Sequence, residues 1–229
     1  MKKSFPLAVI ALFCFSFSLK AQVYRKKIVH AGETISDRSY YLFPSFTDAT
    51  VKLKTGGSLS SKMNFNLLIC EMQFISPGND TLVISNPENV DSILFSNNAF
   101  FFNKGYYEIL SSANAVKLAV LRKVSYEPIK IGALGLPDHS GTGIQSDTSV
   151  VTYTGERKLV MNEDVEITSE TAYFLITDSA AFNKANKASF VKAFPEKEEL
   201  IRDYLKQNKI DFNKETDLEK LFEFCAAQS

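Results

Sequence analysis

The segment of residues 62–103 restricts the fold of this chain more narrowly than any other part of the sequence. Short apolar runs, rich in β-branched and aromatic residues, alternate there with turn-forming clusters at residues 76–80, 86–89 and 96–98. Runs separated in this way by proline, glycine and asparagine are typical of antiparallel strands joined by tight turns. The segment therefore predicts an antiparallel meander, and it carries no signature of a particular chemistry.

Side-chain alternation within this segment assigns residues to the two faces of a sheet. Met63, Phe65 and Leu67 alternate with polar residues, so they share one face of a strand. The three consecutive phenylalanines at 100–102 cannot all share a face. Either both faces of the sheet are covered there, or one ring is exposed and available to a partner.

The character of the chain changes near Asp178, where helical spacing replaces strand-like alternation. We predict a short helix over residues 186–194, a second that begins at Pro195, and a last one started by a capping box at 216–219. The expected fold class is α+β. It consists of mostly antiparallel β structure (a meander, sandwich- or barrel-like) followed by a short C-terminal helical segment.

The N-terminus has the pattern of a secretory signal peptide. Basic residues at 2–3 precede an apolar run at 6–19, and we place cleavage after Ala21. Phe13 before Cys14 fits a lipoprotein signal badly, which favours release over anchoring. We therefore expect a signal peptide at 1–21, a β-rich domain at 22–180 and a helical tail at 181–229, packed on that domain or forming a small subdomain.

Composition and charge argue against several classes of function. The 26 basic and 26 acidic residues cancel, which gives no electrostatic reason to expect nucleic acid or an anionic membrane as partner. After the signal peptide, no run is apolar enough to cross a bilayer, so we expect an exported, soluble protein in the periplasm or outside the cell. The predicted mature chain has two histidines and two cysteines, all isolated, so we predict no metal site, and no cofactor motif is present. Cys70 and Cys225 either form a disulfide or are small core residues.

The candidate catalytic residues are few and loosely connected. Asp138 and His139 lie with a serine in a glycine-rich loop at 132–143, and Glu163 belongs to an acidic cluster. A hydrolytic site needs a base within reach of a nucleophile and an acid behind the base, an arrangement that adjacent residues rarely achieve. The alternatives are a surface loop with a solvated imidazole and a solvated acidic hairpin.

Aromatic residues around a tight turn are the candidates for binding. Phe101, Tyr106 and Tyr107 lie close together in the sequence, on either side of Lys104-Gly105. Such rings line grooves for glycans or peptides. The sequence has no tryptophan, whose ring is a favoured stacking surface for sugars, so the case for a glycan groove is the weaker of the two. The alternative is that these rings belong to the core.

Several short motifs resemble those of a group of secreted proteins from Bacteroidetes bacteria. The motifs are YLFPSF at 41–46, NFNLL at 64–68, EMQFI at 71–75, DTL at 80–82 and the Phe-Pro helical tail. The resemblance covers most of the mature chain. It implies an envelope protein of a Gram-negative bacterium, and it implies no activity, cofactor or catalytic residue.

These observations support three hypotheses. The first is a non-enzymatic secreted or periplasmic module that binds an envelope protein or a glycan. The second is an envelope hydrolase that uses His139 with a distant carboxylate. The third is a structural protein that associates with itself as a homo-oligomer, through the strand at 100–102 or the last helix.

Overall fold

The computed structural model describes residues 22–35, 40–131, 137–138, 151–153, 159–161, 163–177 and 181–227. The strands are β1 (Gln22–Val29), β2 (Thr34–Ile35), β3 (Thr47–Leu53), β4 (Ser58–Asn66), β5 (Glu71–Ile75), β6 (Thr81–Val83), β7 (Val90–Leu94), β8 (Ala99–Phe102), β9 (Tyr106–Ala113), β10 (Val116–Pro128), β11 (Lys130–Ile131), β12 (Pro137–Asp138), β13 (Val151–Tyr153), β14 (Leu159–Met161), β15 (Val165–Thr177) and β16 (Phe182–Lys184). The helices are α1 (Lys187–Ala193), α2 (Glu198–Gln207) and α3 (Glu215–Ala227), with 3-10 turns at Pro87–Asn89 and Pro195–Lys197. The predicted fold class, mostly antiparallel β structure with a helical C-terminal segment, is confirmed.

One large open sheet dominates this structure. Its strand order is β1-β15-β10-β9-β8-β7-β3-β4-β5-β6, and β16 also pairs with β15. The strand pairs in this sheet are antiparallel. Two small sheets, β11-β12 and β13-β14-β2, lie outside it.

The sheet departs from the predicted meander after β6. Strands β3 to β6 follow one another as hairpins, but β7 pairs with β3 instead of β6. The connection at 84–89 therefore returns across the sheet, and the Lys54 amide donates to the Asn89 carbonyl at 3.0 Å. Such a return beside the first strand is the connection of a Greek key. Turn residues mark where strands end, but they do not specify which strand edge the chain joins next.

The sheet curls strongly, and ring contacts across it show by how much. Strands β4 and β8 are three positions apart, about 14 Å along a flat sheet. The ring centroids of Phe65 on β4 and Phe100 on β8 are nevertheless only 6.1 Å apart. Tyr106 on β9, one strand further away, reaches within 5.7 Å of Phe65. The concave face thus closes over an aromatic core.

The three consecutive phenylalanines divide between the two faces of this sheet. Phe100 is fully buried in the concave core, and Phe102 packs against the same cluster. Phe101 points to the opposite face, where its ring stacks on Tyr107. Both faces are therefore at least partly covered at this position.

The helices pack on strands β9, β10 and β15, where they share a second buried cluster. Leu118 and Leu175 contribute from the sheet, and Phe190, Ile201 and Leu221 contribute from the helices. The helical segment thus covers the sheet with its apolar side chains. Within the residues that the structure describes, no helix is long and apolar enough to cross a membrane.

The start of α1 agrees with the position predicted from the sequence, and the start of α3 differs from it. Asn186 caps α1 through a reciprocal capping box with Ser189. Helix α3 begins at Glu215, so Thr216 lies inside the helix and is not its cap. A turn in which the Lys214 amide donates to the Asp211 carbonyl starts the helix earlier, and the Asp217 carboxylate accepts from the Asp211 amide at 3.2 Å.

Candidate functional site

The returning connection at 84–89 and the strands that it crosses enclose an apolar groove of about 850 Å³. The lining residues are Val51, Leu53, Thr55, Leu59, Ser60, Ser61, Met63, Phe74, Ile75, Ser76, Pro77, Val83, Ile84, Ser85, Asn86, Asn89 and Val90. Strands β3 to β6 supply most of its apolar side chains, and the connection supplies Ile84 together with several amides and hydroxyls. The groove therefore exists only because β7 pairs with β3.

The groove is uncharged. None of its lining residues is Asp, Glu, Lys or Arg, although these types make up 23% of the chain. Its polar members are serine, threonine and asparagine, which donate or accept hydrogen bonds without carrying charge. Such a lining favours an uncharged occupant, because a buried ion without a partner is costly.

Large apolar side chains are exposed along this groove. Leu59 is 63% exposed and Val83 is 42% exposed, and both line it. Leu59 lies directly opposite Val51 in the β3–β4 pair, which places the two side chains on one face. Exposed apolar residues that continue into an apolar concavity are typical of a binding surface.

A buried ion cluster joins the sheet to α3. Arg122 on β10 donates to the carboxylates of Glu108 on β9 and Glu215 at the start of α3. The Asn98 amide also donates to Glu108, and Glu108 is only 7% exposed. These contacts bridge two strands and a helix, so they fix the position of α3 on the sheet.

The surroundings of this cluster change the acidity of two neighbouring groups. Burial and then the negative charge of Glu215 raise the pKa of Tyr173 to about 12. Burial, assisted by the charges of Glu215 and Glu223, raises the pKa of the Glu219 carboxyl. Both shifts favour the neutral form, which is the expected result of burial reinforced by neighbouring carboxylates.

An exposed acid–imidazole pair lies at the far end of the sheet. His30 Nδ1 is 3.0 Å from Asp164 Oδ2, and Asp164 Oδ1 accepts from the Ala31 amide at 2.8 Å. The hydrogen bond with Asp164 raises the pKa of His30, and the hydrogen bond from Ala31 lowers the pKa of Asp164. Among the described residues, the imidazole bonds only to this carboxylate, so the pair has no nucleophile in contact with it.

The predicted catalytic residues are not brought together in the described part of the chain. His139 and most of the loop at 132–143 lie outside the described residues, and only the backbone of Asp138, in β12, is described. Glu163 is exposed, next to Asp164. The histidine that meets the predicted acidic cluster is therefore His30, which no local motif marks.

The predicted binding residues separate onto two faces. Phe101 and Tyr107 stack with ring centroids 5.5 Å apart, and both contact Phe182. Tyr106 is instead 1% exposed in the concave core, and its hydroxyl has no hydrogen-bond partner in the described structure. Alternation along β9 separates the two tyrosines, because successive residues of a strand point to opposite faces.

Both cysteines of the described chain are free thiols in different parts of the fold. Cys70 is half-buried, with its thiol 3.6 Å from the Leu67 carbonyl oxygen. Cys225 belongs to the buried cluster beneath the helices, and burial raises its pKa to about 11. The structure thus contains no disulfide between them, and of the two only Cys225 is a core residue.

Comparison of the chain with protein-family models, curated proteins and solved structures gives no significant match. Within the described ranges, no group of three or more His, Cys, Asp or Glu side chains is placed to hold a metal ion. The chemistry of the apolar groove is therefore the basis for a functional inference.

Proposed function

We propose that this protein is an exported, non-enzymatic binding protein that holds an uncharged, largely apolar ligand in the groove beneath the connection at 84–89. The observation that carries this proposal is the groove itself, which has about 850 Å³ of space and no charged lining residue. Ligand sites of small molecules occupy roughly 300–1,000 Å³ and are mostly apolar with a few placed polar groups. The groove meets both criteria.

The arrangement of polar groups favours a ligand with an apolar body and a small neutral polar end. Val51, Met63 and Phe74 supply an apolar floor, and Asn86 and Asn89 lie on the returning connection. A neutral acyl chain or a comparable hydrocarbon would remove these apolar surfaces from water, which is the main source of binding free energy in such sites. The asparagine amides would orient the polar end.

The cellular address is part of the same proposal. The basic residues at 2–3 and the apolar run at 6–19 support export, and the motifs at 41–46 and 64–68 support a Bacteroidetes envelope protein. Neutral acyl-bearing molecules are abundant in an envelope. The hydrolase hypothesis depends on His139, and it stays a prediction, as does self-association.

A fluorescence titration of the mature chain, residues 22–229, tests the proposal. The probe is N-phenyl-1-naphthylamine, an uncharged dye that brightens in apolar sites, and the competitor is a neutral monoacylglycerol below its micelle concentration. Leu59 lines the groove and lies directly opposite Val51, so Leu59→Asp places a carboxylate at the groove and is expected to weaken probe binding about tenfold or more.

Leu200→Asp is the matched control. Leu200 is also an exposed leucine, with 50% exposure against 63% for Leu59, but it lies on α2 and does not line the groove. It should leave probe affinity within about twofold of the wild type. Thermal melts verify that both variants fold. Equal weakening by both variants, or no saturable probe binding to the wild type, would refute the assignment of the groove.

A further inference from the structure

A second cavity, of about 430 Å³, lies where several strands of the main sheet end. Its lining residues are Lys54, Phe101, Phe102, Asn103, Ala115, Lys117, Ile176, Thr177 and Phe182. Most of them are the last or first residues of their strands, or belong to the β8–β9 and β9–β10 turns. None of them lines the apolar groove, so this cavity is a separate site.

Aromatic rings form one wall of the second cavity. Phe101 and Phe182 both line it, with ring centroids 6.0 Å apart, and Tyr107 packs behind them at 5.5 Å and 5.1 Å. Phe174 packs against Tyr107 at 5.4 Å. The cluster is held by cross-strand pairing, because Phe101 lies directly opposite Tyr107. Such a preformed aromatic wall accommodates the apolar face of a flat or chair-shaped ring.

The opposite part of the lining is polar and basic. Lys54 and Lys117 are exposed, and Asn103 and Thr177 add an amide and a hydroxyl. Among the residues that the structure describes, no acidic side chain lines the cavity. Lysine ammonium groups bind carboxylate, sulfate or phosphate through charge-assisted hydrogen bonds. The ligand for this cavity therefore carries negative charge, in contrast to the ligand for the apolar groove.

The position of the cavity distinguishes between a saccharide and a peptide. Extended peptides commonly bind by adding a strand to an exposed sheet edge. This cavity is instead lined by residues from several strand ends and turns and not by the length of a single strand. A saccharide needs only a ring face for stacking, together with amide, hydroxyl and ammonium groups for its substituents. All of these are present here.

We propose that the second cavity binds an acidic saccharide, with a sugar ring against Phe101 and Phe182 and a carboxylate near Lys54 and Lys117. This inference goes beyond the proposed ligand of the apolar groove and does not depend on it. It predicts that the protein has two sites of opposite ligand chemistry on one sheet.

Titration calorimetry with oligogalacturonate, on the mature chain at low salt, tests the inference. The double variant Lys54→Gln/Lys117→Gln keeps an unbranched polar side chain at each position but removes both charges. It is expected to bind about tenfold more weakly or worse. Lys52→Gln is the matched control, because Lys52 is exposed on β3 two residues before Lys54 but does not line the cavity, and it should bind like the wild type.

Further ligands and one variant separate the alternatives. Methyl-esterified oligogalacturonate, which has the same ring but no charge, should bind at least about tenfold more weakly. Leu59→Asp should bind oligogalacturonate unchanged, because Leu59 does not line the second cavity, and this keeps the result independent of the apolar groove. Three outcomes would each overturn the proposal. They are equal binding of the ester, equal or tighter binding of a poly-glutamate peptide, and absence of oligogalacturonate binding.

Discussion

Replacement of Arg122 by methionine is the perturbation that most directly tests how α3 is held on the sheet. The change removes the donor shared by Glu108 and Glu215 and keeps an apolar side chain of similar length. Glu108 is 7% exposed, so its carboxylate would remain buried. Among the described residues, the side-chain amide of Asn98 would then be its hydrogen-bond donor. Loss of one partner from a buried ion pair costs about 3–5 kcal/mol.

The partial exposure of the cluster places the expected loss at the low end of that range. The side chains of Arg122 and Glu215 are 23% and 34% exposed, so water weakens one of the two ion pairs. We therefore expect the free energy of unfolding to fall by about 3 kcal/mol. For a chain of this size, such a loss lowers Tm by about 6–12 °C.

Urea denaturation followed by circular dichroism measures the loss, and two further variants identify its cause. In Glu108→Gln/Arg122→Met the buried charge is gone, so the double variant should recover a large part of the lost stability. Arg202→Met removes an arginine from an exposed pair with Glu198 and should change stability by less than about 0.5 kcal/mol. A loss below about 1 kcal/mol for Arg122→Met, or no recovery in the double variant, would refute the argument for a buried clamp.

Three further predictions concern single groups. Tyr106→Phe removes a buried hydroxyl that has no partner in the described structure, and it should raise the free energy of unfolding by about 1 kcal/mol in urea denaturation; a clear loss would mean that the hydroxyl is satisfied. NMR titration should give His30 a pKa above 6.5, and this pKa should fall in the variant Asp164→Asn. Because folding raises the pKa of His30, the pair stabilises the fold fully below pH 6.5. That stabilisation is lost as the pH rises through the pKa of the folded state. The buried Cys225 thiol, whose pKa is about 11, should react with iodoacetamide in the native protein much more slowly than the half-buried Cys70, as measured by peptide mass spectrometry, and the two rates should converge in urea.

Local patterns were sufficient to predict the elements of this fold. The alternation at residues 63–67 identified a strand with Met63 and Phe65 on a buried face, and both are 2% exposed or less. The buried residues of α3 recur at helical spacing in the sequence, and they are Leu218, Leu221, Phe222 and Cys225. These features depend on interactions between near neighbours along the chain, which alternation and helical periodicity record directly.

The candidate sites could not be predicted in the same way, because their members are distant in sequence. Arg122 meets Glu215 across 93 positions, and His30 meets Asp164 across 134. Phe101 and Tyr107 were singled out from their sequence, but their meeting with Phe182 depends on the pairing of β15 with both β10 and β16. No local signal specifies such pairings.

Sequence alone thus determined many of the strands and helices and several of the apolar side chains that they bury, since short-range sterics and hydrophobic periodicity govern both. Tertiary structure decided where β7 pairs, how tightly the sheet curls, and therefore that an uncharged groove and a basic aromatic cavity exist at all. The physical reason is that strand pairing is chosen by the burial of whole faces against one another. That free energy is distributed over many residues and is not recorded in any single stretch of the chain.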